Sequence, residues 1–383
     1  MTRPSIYLDH NASVPLLPEA REALLCALDR VGNPSSVHSH GRAQRAEIDA
    51  ARAAVAKLAG AEREQVVFTG SATEAITQAI VAGARAFGVD GVVVSAGEHA
   101  AVLKAAEATG LPVKRVALDA EGRISIEQIR AAVAEADLVG MRLLVAVHLV
   151  NNETGVIQPI AAIERLVGPS PHYLFVDAVQ ALGKMPIDFA SRAADLMAVS
   201  AHKIGGPAGI GALLMKAHAA EVRLIPGGGQ EGGRRGGTES TALIAGFGAA
   251  AATFADHYQR AGVGELVRLV ETGMRETAPD LVIFGADAER IGNTSNFAVP
   301  GLRNSVAMMG LDLAGFSVSS GSACSSGKVG PSHVLAAMGI APDLGNCALR
   351  VSFGWSSSVD DVAAYLKGFG EVVGRHRARR VAA

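Results

Sequence analysis

The chain has 383 residues, of which 49% are hydrophobic and 4% are aromatic, and its formal net charge is -2 at pH 7. This composition is typical of a soluble α/β enzyme with more than one domain, and it excludes a disordered or fibrous protein. The balanced charge argues against a nucleic-acid partner. The N-terminal residues lack the apolar run of a signal peptide, and no apolar stretch has the length of a membrane span. We therefore expect a cytoplasmic protein that contacts no membrane.

Cysteine content and the basic C-terminus add two expectations. The three cysteines, Cys26, Cys324 and Cys347, are too few and too scattered for a disulfide framework or a zinc site. This favours a reducing cytosol and a protein without a metal centre. The basic segment at residues 375–380 is typical of a solvated helix end.

In chain order, the sequence predicts a short extended arm and then an alternation of strands and helices. Helices are predicted at residues 18–30 and 41–59, with a polar loop at 32–38 between them. Apolar strands follow at residues 65–69, 91–95, 112–118, 143–149, 173–176, 195–200 and 211–215. Continuous apolar strands that alternate with helices predict a mostly parallel sheet covered on both faces. In such sheets ligands bind at the carboxyl ends of the strands, where the polar residues of this chain cluster.

The character of the chain changes after Pro226. A Gly-rich loop at residues 227–238 leads to a long helical stretch at 240–278. Shorter strand-like pieces then follow at residues 293–299, 317–322 and 348–353. We therefore predict a large domain at residues 15–258 and a smaller α+β domain. The smaller domain combines residues 1–14, as an N-terminal arm, with residues 259–383.

The segment at the end of the strand at 195–200 is the first candidate for chemistry. Lys203 lies at the inner end of a buried strand, where a lysine is unfavourable unless it is paired or modified. A lysine held there can form a Schiff base with a carbonyl, and the aldehyde of pyridoxal 5'-phosphate (PLP) fits the neighbouring residues best. Ser200 and His202 can hold a phosphate or ring oxygen. The alternative is a strand that ends in a solvated lysine.

Other strand ends carry weaker signals. The helix that begins near Ala72 and Thr73 can bind phosphate through its free N–H groups, although Ser71 and Glu74 also have the spacing of a capping box. Both functions can hold at once.

Asp177 ends an apolar strand and can hold the protonated ring nitrogen of PLP, or else cap a helix. Gln180, one turn later, can bind the ring oxygen. His99 can stack on the ring and move protons, or serve as a helix cap, and Asn152 is a polar side chain at a further strand end.

Two residues of the second region suggest substrate chemistry. Cys324 lies in a Gly/Ser-rich run, where it has no core to join, so an exposed thiol there is a candidate nucleophile. By contrast, the apolar surroundings of Cys26 and Cys347 predict inert core residues. Arg350 lies in an apolar strand and is predicted to bind a substrate carboxylate or to form a structural salt bridge.

Together these stretches resemble the cysteine desulfurases, PLP enzymes of the class V aminotransferase family with fold type I. The resemblance is greatest to the branch of iron–sulfur assembly and nitrogen fixation. It extends over nearly the whole chain, through residues 7–9, 32–35, 67–74, 98–99, 150–155, 176–180, 202–203, 235–238, 319–324 and 350–352. The cysteine loop together with His202-Lys203 is its most specific part.

The resemblance implies a role for each matched residue. Lys203 would be the aldimine lysine, Cys324 the thiol that takes up sulfur as a persulfide, and His99 the ring-stacking proton carrier. The implied cofactor ligands are Ala72, Thr73, Asn152, Asp177, Gln180, Ser200, His202 and Thr238, with Thr238 reaching the phosphate of the other subunit of a homodimer. Asn33, Asn152 and Arg350 would bind the substrate, L-cysteine, which would become L-alanine. The sulfur acceptor would be a protein such as an iron–sulfur scaffold.

The sequence departs from the family at Ser13, Val14, Gly205 and Gly236, which leaves the finer cofactor contacts open. It also leaves alternatives for the function. A selenocysteine lyase or another class V aminotransferase is the nearest alternative, although an aminotransferase has no need of Cys324. A catalytically silent assembly platform of the same fold is the other, and intact Lys203, Asp177 and Cys324 argue against it.

Overall fold

The structure is a computed structural model that describes residues 5–320 and 332–381. The strands are β1 (Ile6–Tyr7), β2 (Val66–Thr69), β3 (Gly91–Ser95), β4 (Val113–Val116), β5 (Leu143–His148), β6 (Tyr173–Asp177), β7 (Leu196–Ser200), β8 (Gly211–Met215), β9 (Val282–Ile283), β10 (Thr294–Ala298), β11 (Phe316–Ser317) and β12 (Ala348–Ser352).

The helices are α1 (Pro18–Leu28), α2 (Ser39–Ala59), α3 (Ala72–Thr77), α4 (Gly83–Phe87), α5 (Ala100–Ala108), α6 (Ile126–Leu138), α7 (Ile160–Val167), α8 (Thr241–Arg260), α9 (Val263–Thr277), α10 (Asn304–Leu313), α11 (His333–Ala337), α12 (Pro342–Gly345) and α13 (Val359–Val381). A π-helical stretch, Gln78–Ala82, joins α3 to α4. Of the helices within the described residues, none combines the length and the apolar character needed to cross a bilayer.

The main sheet has seven strands in the order β2-β8-β7-β6-β5-β3-β4. Strands β4, β3, β5, β6 and β7 are parallel neighbours, whereas β8 is antiparallel to both β7 and β2. Alternate residues of β5 explain its continuous apolar run, because Leu144 and Ala146 join the core on one face and Val145 and Val147 join the core on the other. The predicted mostly parallel sheet, covered on both faces, is confirmed.

The later part of the chain forms a smaller α+β region. Strands β12, β10 and β9 make an antiparallel sheet, and β1 of the N-terminal arm pairs with β11. Leu8 of the arm lies in the same apolar cluster as residues of α9, β12 and α13. The predicted division into domains at residue 258 stays a prediction, and that position lies in the last turn of α8.

Two predicted elements differ in extent from the observed ones. The long helical stretch at 240–278 is interrupted at Gly262, whose φ of 57° is left-handed and therefore ends one helix before the next begins. Of the strand predicted at 317–322, the described part pairs at Phe316–Ser317 and forms one further bridge, between Ser319 and Arg350.

Candidate active site

A cavity of about 320 Å³ lies at the carboxyl ends of the parallel strands. The predicted site residues that line it are Ala72, Thr73, His99, Asn152, Asp177, Gln180, Ser200, His202 and Lys203. Each follows or ends a strand of the main sheet, so the topology brings together residues that are up to 131 positions apart, from Ala72 to Lys203. The arrangement is the one expected of a ligand site in an open α/β sheet.

Lys203 lies in the short helical turn that follows β7. Its Nζ donates hydrogen bonds to the carbonyl oxygens of Asn11 (2.6 Å) and Ala12 (2.8 Å). The sequence predicted that this lysine needs a partner, and the partner is the backbone of the N-terminal arm. The arm thus holds the amine at the cavity wall.

Asp177 is the last residue of β6 and is 7% exposed. One carboxylate oxygen accepts the backbone N–H of Val179 at 2.9 Å, which forms a local turn in place of the helix cap considered from the sequence. Burial raises the pKa of Asp177, although this hydrogen bond and the charges of His99, His148 and Lys203 counteract it. A buried carboxylate that is incompletely compensated is suited to a cationic ligand atom.

The start of α3 forms another wall of the cavity. Ser71 Oγ accepts the N–H of Glu74 at 3.1 Å, and Glu74 Oε2 accepts the N–H of Gly70 at 2.8 Å, so these side chains cap the helix. The N–H groups of Ala72 and Thr73 belong to the first turn, which has no intrahelical acceptor for them. Gly211 of β8 passes so close that a Cβ there would lie 2.8 Å from Ala72 N. A glycine therefore keeps this helix start open to an anion.

Three histidines line the cavity: His99, His148 and His202. His99 Nδ1 accepts the N–H of Ala101 at 3.1 Å, so His99 is both the cap of α5 and a cavity residue. In a neutral ring its proton then lies on Nε2. Burial, with the charges of Lys203 and Lys184, lowers the pKa of His202 to about 4, so His202 is neutral near pH 7.

Gln180 is held at both ends of its amide. Its Nε2 donates to the carbonyl of Asn11 at 2.9 Å, and its Oε1 accepts Lys184 Nζ at 3.0 Å. Burial, with the charges of Lys203 and Arg350, lowers the pKa of Lys184 to about 7. Lys184 was not predicted as a site residue, although its i, i+4 spacing from Gln180 places both residues on the same side of a helical turn.

Some predicted site residues do not line the cavity. Arg350 is 2% exposed and donates to Asp9 Oδ1 (2.6 Å) and to the carbonyl of Asn152 (2.9 Å), so it forms the salt bridge that was considered as its alternative. Asn33 and Thr238 are exposed away from the cavity. Cys324 lies outside the described residues.

The other two cysteines differ from each other. Cys347 is buried, as predicted, and its thiol donates to the carbonyl of Asp343 at 3.3 Å. The prediction that Cys26 is a core residue is wrong, because Cys26 is exposed on α1. Its apolar neighbours Leu25 and Leu28 are themselves 42% and 62% exposed, so the apolar surroundings in sequence did not indicate a buried face.

Local packing explains two of the departures from the family pattern. Gly205 has a φ of 72°, and a Cβ there would lie 2.7 Å from Leu17 Cγ. A Cβ on Gly236 would lie 2.5 Å from the carbonyl oxygen of Pro226. Neither position accepts a larger residue without displacement of its neighbours.

The Gly-rich loop forms ion pairs with other parts of its own subunit. Arg52 pairs with Glu231 at 2.7 Å and Arg235 with Glu74 at 2.8 Å. These ion pairs give the loop a structural role within one subunit. The Gly-rich sequence of the loop therefore does not by itself indicate a second subunit.

Comparison with known proteins gives consistent results. Residues 6–365 match the model of the family "Aminotransferase class-V". A cysteine desulfurase of Cereibacter sphaeroides is 37% identical over 97% of this chain and 97% of its own length. The cysteine desulfurase IscS of Dictyoglomus turgidum is 33% identical over 93% of this chain and 91% of its own. A NifS-like protein of Rickettsia africae has a TM-score of 0.86 at 29% identity, with 97% of this chain and 99% of that chain covered. The resemblance predicted from the sequence is confirmed.

Proposed function

Because the chain belongs to the cysteine desulfurases of the class V aminotransferase family, we propose that it removes the sulfur atom of L-cysteine and leaves L-alanine. The observation that carries this proposal is the meeting of Lys203 and Asp177 in one cavity, on a chain similar to these enzymes over nearly its full length. The lysine supplies an amine, and the carboxylate supplies a negative charge at a fixed place.

The cavity residues fit PLP as the cofactor. Asp177, with its incompletely compensated charge, would hold the ring nitrogen, and Gln180 would hold the ring oxygen. The start of α3 at Ala72 and Thr73, with Ser200 and His202, would hold the phosphate, and His99 would cover the ring. When bound, PLP supplies an electron sink that stabilises negative charge on the substrate Cα.

The residues of this chain would divide the remaining work. Lys203 would link the cofactor covalently, and Lys203 and His99 would carry protons to and from the substrate. Arg350 would orient the substrate carboxylate with Asn33 and Asn152. For this Arg350 must share its guanidinium with Asp9, which it contacts in the structure.

The thiolate of Cys324 would accept the sulfur. Its Sγ would form a bond to the substrate sulfur while the substrate C–S bond breaks. The bonding electron pair would stay on the substrate carbon, which takes a proton and becomes the methyl group of alanine. The persulfide on Cys324 would then pass its sulfur to an acceptor protein, such as an iron–sulfur scaffold.

We further propose that the protein is a cytoplasmic homodimer, in which Thr238 would reach the partner's cofactor phosphate. Support comes from exposed apolar side chains at the end of α1 and in the loop before α2: Leu28 is 62%, Val31 80% and Val37 88% exposed. Such a cluster favours an interface. Sedimentation that shows a monomer with full PLP content would contradict the dimer.

Incubation of the PLP-loaded protein with cysteine and a thiol reductant tests the proposal. Alanine and sulfide should appear in equal amounts. Formation of a keto acid in place of alanine would indicate an aminotransferase, and turnover of selenocysteine alone would indicate the lyase. A protein that binds PLP yet turns over neither amino acid would be a silent platform.

A further inference from the structure

A buried carboxylate–imidazole pair lies beside the cavity and has no role in the function proposed above. Glu98 Oε1 accepts two hydrogen bonds from His148, one from its backbone N–H at 2.9 Å and one from its ring Nδ1 at 2.6 Å. The two side chains are 0% and 5% exposed. The backbone N–H donates to this oxygen, and the short second contact matches the length of a charge-assisted bond in which Nδ1–H donates to a carboxylate.

A second acid, Asp177, neighbours the imidazole. His148 lines the cavity and is the register partner of Asp177 across β5 and β6. Its Nε2 is buried and has no hydrogen-bond partner among the described residues. A neutral ring with Nδ1–H would place the Nε2 lone pair near a carboxylate, which is repulsive, whereas a protonated Nε2 is attracted to it.

Other titratable groups line the same cavity or contact Glu98. They are His99 at the start of α5, Asp177 at the end of β6, Lys203 after β7, and His333 of α11, whose Nε2 donates to the carbonyl of Glu98 at 2.9 Å. Burial alone would lower the pKa of His148, but the charge of Glu98, their hydrogen bond and Asp177 raise it. In turn, the charge of His148 lowers the pKa of Asp177.

We propose that Glu98 keeps His148 as an imidazolium at the cavity wall, and that His148 is a positioning residue that holds the neighbouring Asp177 as a carboxylate. The second part rests on the proposed function, in which Asp177 binds the ring nitrogen of PLP. His148 acts on Asp177 through its charge and takes no part in bond making. Loss of that charge favours protonation of Asp177 and weakens its hold on a cationic ring.

The test uses the PLP-loaded protein labelled with 15N in histidine. His148→Met identifies the His148 signals, which should show both ring nitrogens protonated at about pH 7. His172 is an internal reference, because its Nδ1 accepts the N–H of Leu143 and so cannot carry a proton. The isosteric Glu98→Gln keeps an oxygen acceptor and should make His148 neutral.

The same variants test the effect on Asp177. Glu98→Gln should release PLP about tenfold faster at about pH 6–7. A pKa of Asp177 that is higher by one corresponds to a factor of ten in its protonation equilibrium. Asp137→Asn, which removes the carboxylate 3.3 Å from His172, is the matched control. It should change neither the 15N signals of His148 nor the rate of PLP release.

Each outcome decides one part of the proposal. A neutral His148 in the parent protein overturns it. A charged His148 with unchanged PLP release in Glu98→Gln overturns the link to Asp177. If the parent protein binds no PLP, the proposed function fails, and the NMR signals of the unloaded protein still decide the charge of His148.

Discussion

The two ends of the seven-stranded sheet differ in how their polar side chains are bonded. At the amino end, three polar side chains, of which only His172 is buried, each accept a backbone N–H of a neighbouring strand or of the residue before it: Asp195 from Leu174 (2.7 Å), Asp90 from Arg142 (2.8 Å) and His172 from Leu143 (3.0 Å). At the carboxyl end, Glu98 Oε2 and His148 Nε2 have no hydrogen-bond partner among the described residues; at the amino end His172 Nε2 also has none, but it lies 3.3 Å from Asp137 Oδ1. The polar groups at the amino end therefore stabilise the fold, whereas His148 at the carboxyl end lines the cavity where a ligand would bind.

The largest effect expected at the carboxyl end is that of Lys203→Ala. Activity should fall by about three orders of magnitude, because the residue that both links the cofactor and moves protons is lost. The absorption band that borohydride removes in the parent protein should be absent. Lys184→Met is the matched control, since Lys184 contacts Gln180 but carries no link to the cofactor, and it should keep the band. A reducible band that persists in Lys203→Ala would show that another lysine is the attachment site.

At the amino end, Asp195→Ala should affect stability and leave PLP content unchanged. The substitution leaves the N–H of Leu174 without its acceptor and removes the contact with His218 at 2.7 Å, so unfolding should become easier by about 2–3 kcal/mol. Urea denaturation followed by circular dichroism measures this loss. The comparison between the two ends fails if the variant keeps its stability and loses PLP.

Asp177→Asn should have the opposite consequences. Burial raises the pKa of Asp177 above its ordinary value of 3.8. The ionised carboxylate present at neutral pH therefore destabilises the folded, PLP-free protein. The neutral amide should therefore stabilise the PLP-free protein by about 1–2 kcal/mol, within the range that a poorly satisfied buried polar group costs, while PLP binds more weakly.

The stability difference between Asp177→Asn and the parent protein should depend on pH. A carboxyl with a raised pKa in the folded state favours folding below its unfolded pKa, and this contribution disappears as the pH rises through the folded pKa. The stability difference between Asp177→Asn and the parent should therefore be present at pH 7 and shrink toward pH 4. Thermal unfolding of the PLP-free proteins across this range measures it, and a variant less stable than the parent at pH 7 would contradict the interpretation of Asp177.

The smallest effect is expected outside the main sheet. Cys26→Ala replaces an exposed side chain on α1 and should change stability by no more than about 0.5 kcal/mol. Cys347→Ala removes a buried thiol and should cost about 1–2 kcal/mol. Equal losses in the two variants would show that Cys26 is covered in the assembled protein.

The difference between the sheet ends also explains what the sequence could predict. Lys203, Asp177 and the helix start at Ala72 could be found because each directly follows an apolar strand, and parallel strands carry such residues to one edge. The partners of Lys203 could not be found, because they are backbone carbonyls of Asn11 and Ala12, which have no side-chain signal.

Pairs of residues that are distant in the sequence could not be predicted either. Glu98 and His148 are 50 residues apart, and only the pairing of the strands brings them together. Cys26 shows the reverse error, since an apolar neighbourhood in sequence does not tell which face of a helix is buried.

The proposed passage of sulfur from cysteine to Cys324 is tested most directly by one measurement. The PLP-loaded protein is mixed with one equivalent of cysteine without reductant, alanine is quantified, and the cysteine-containing peptides are weighed by mass spectrometry. We expect one alanine for each sulfur atom gained by the Cys324 peptide, with none on Cys26 or Cys347. Cys324→Ala should bind PLP and yield almost no alanine. Alanine released by that variant at the parent rate, or sulfur found on Cys26, would contradict the account.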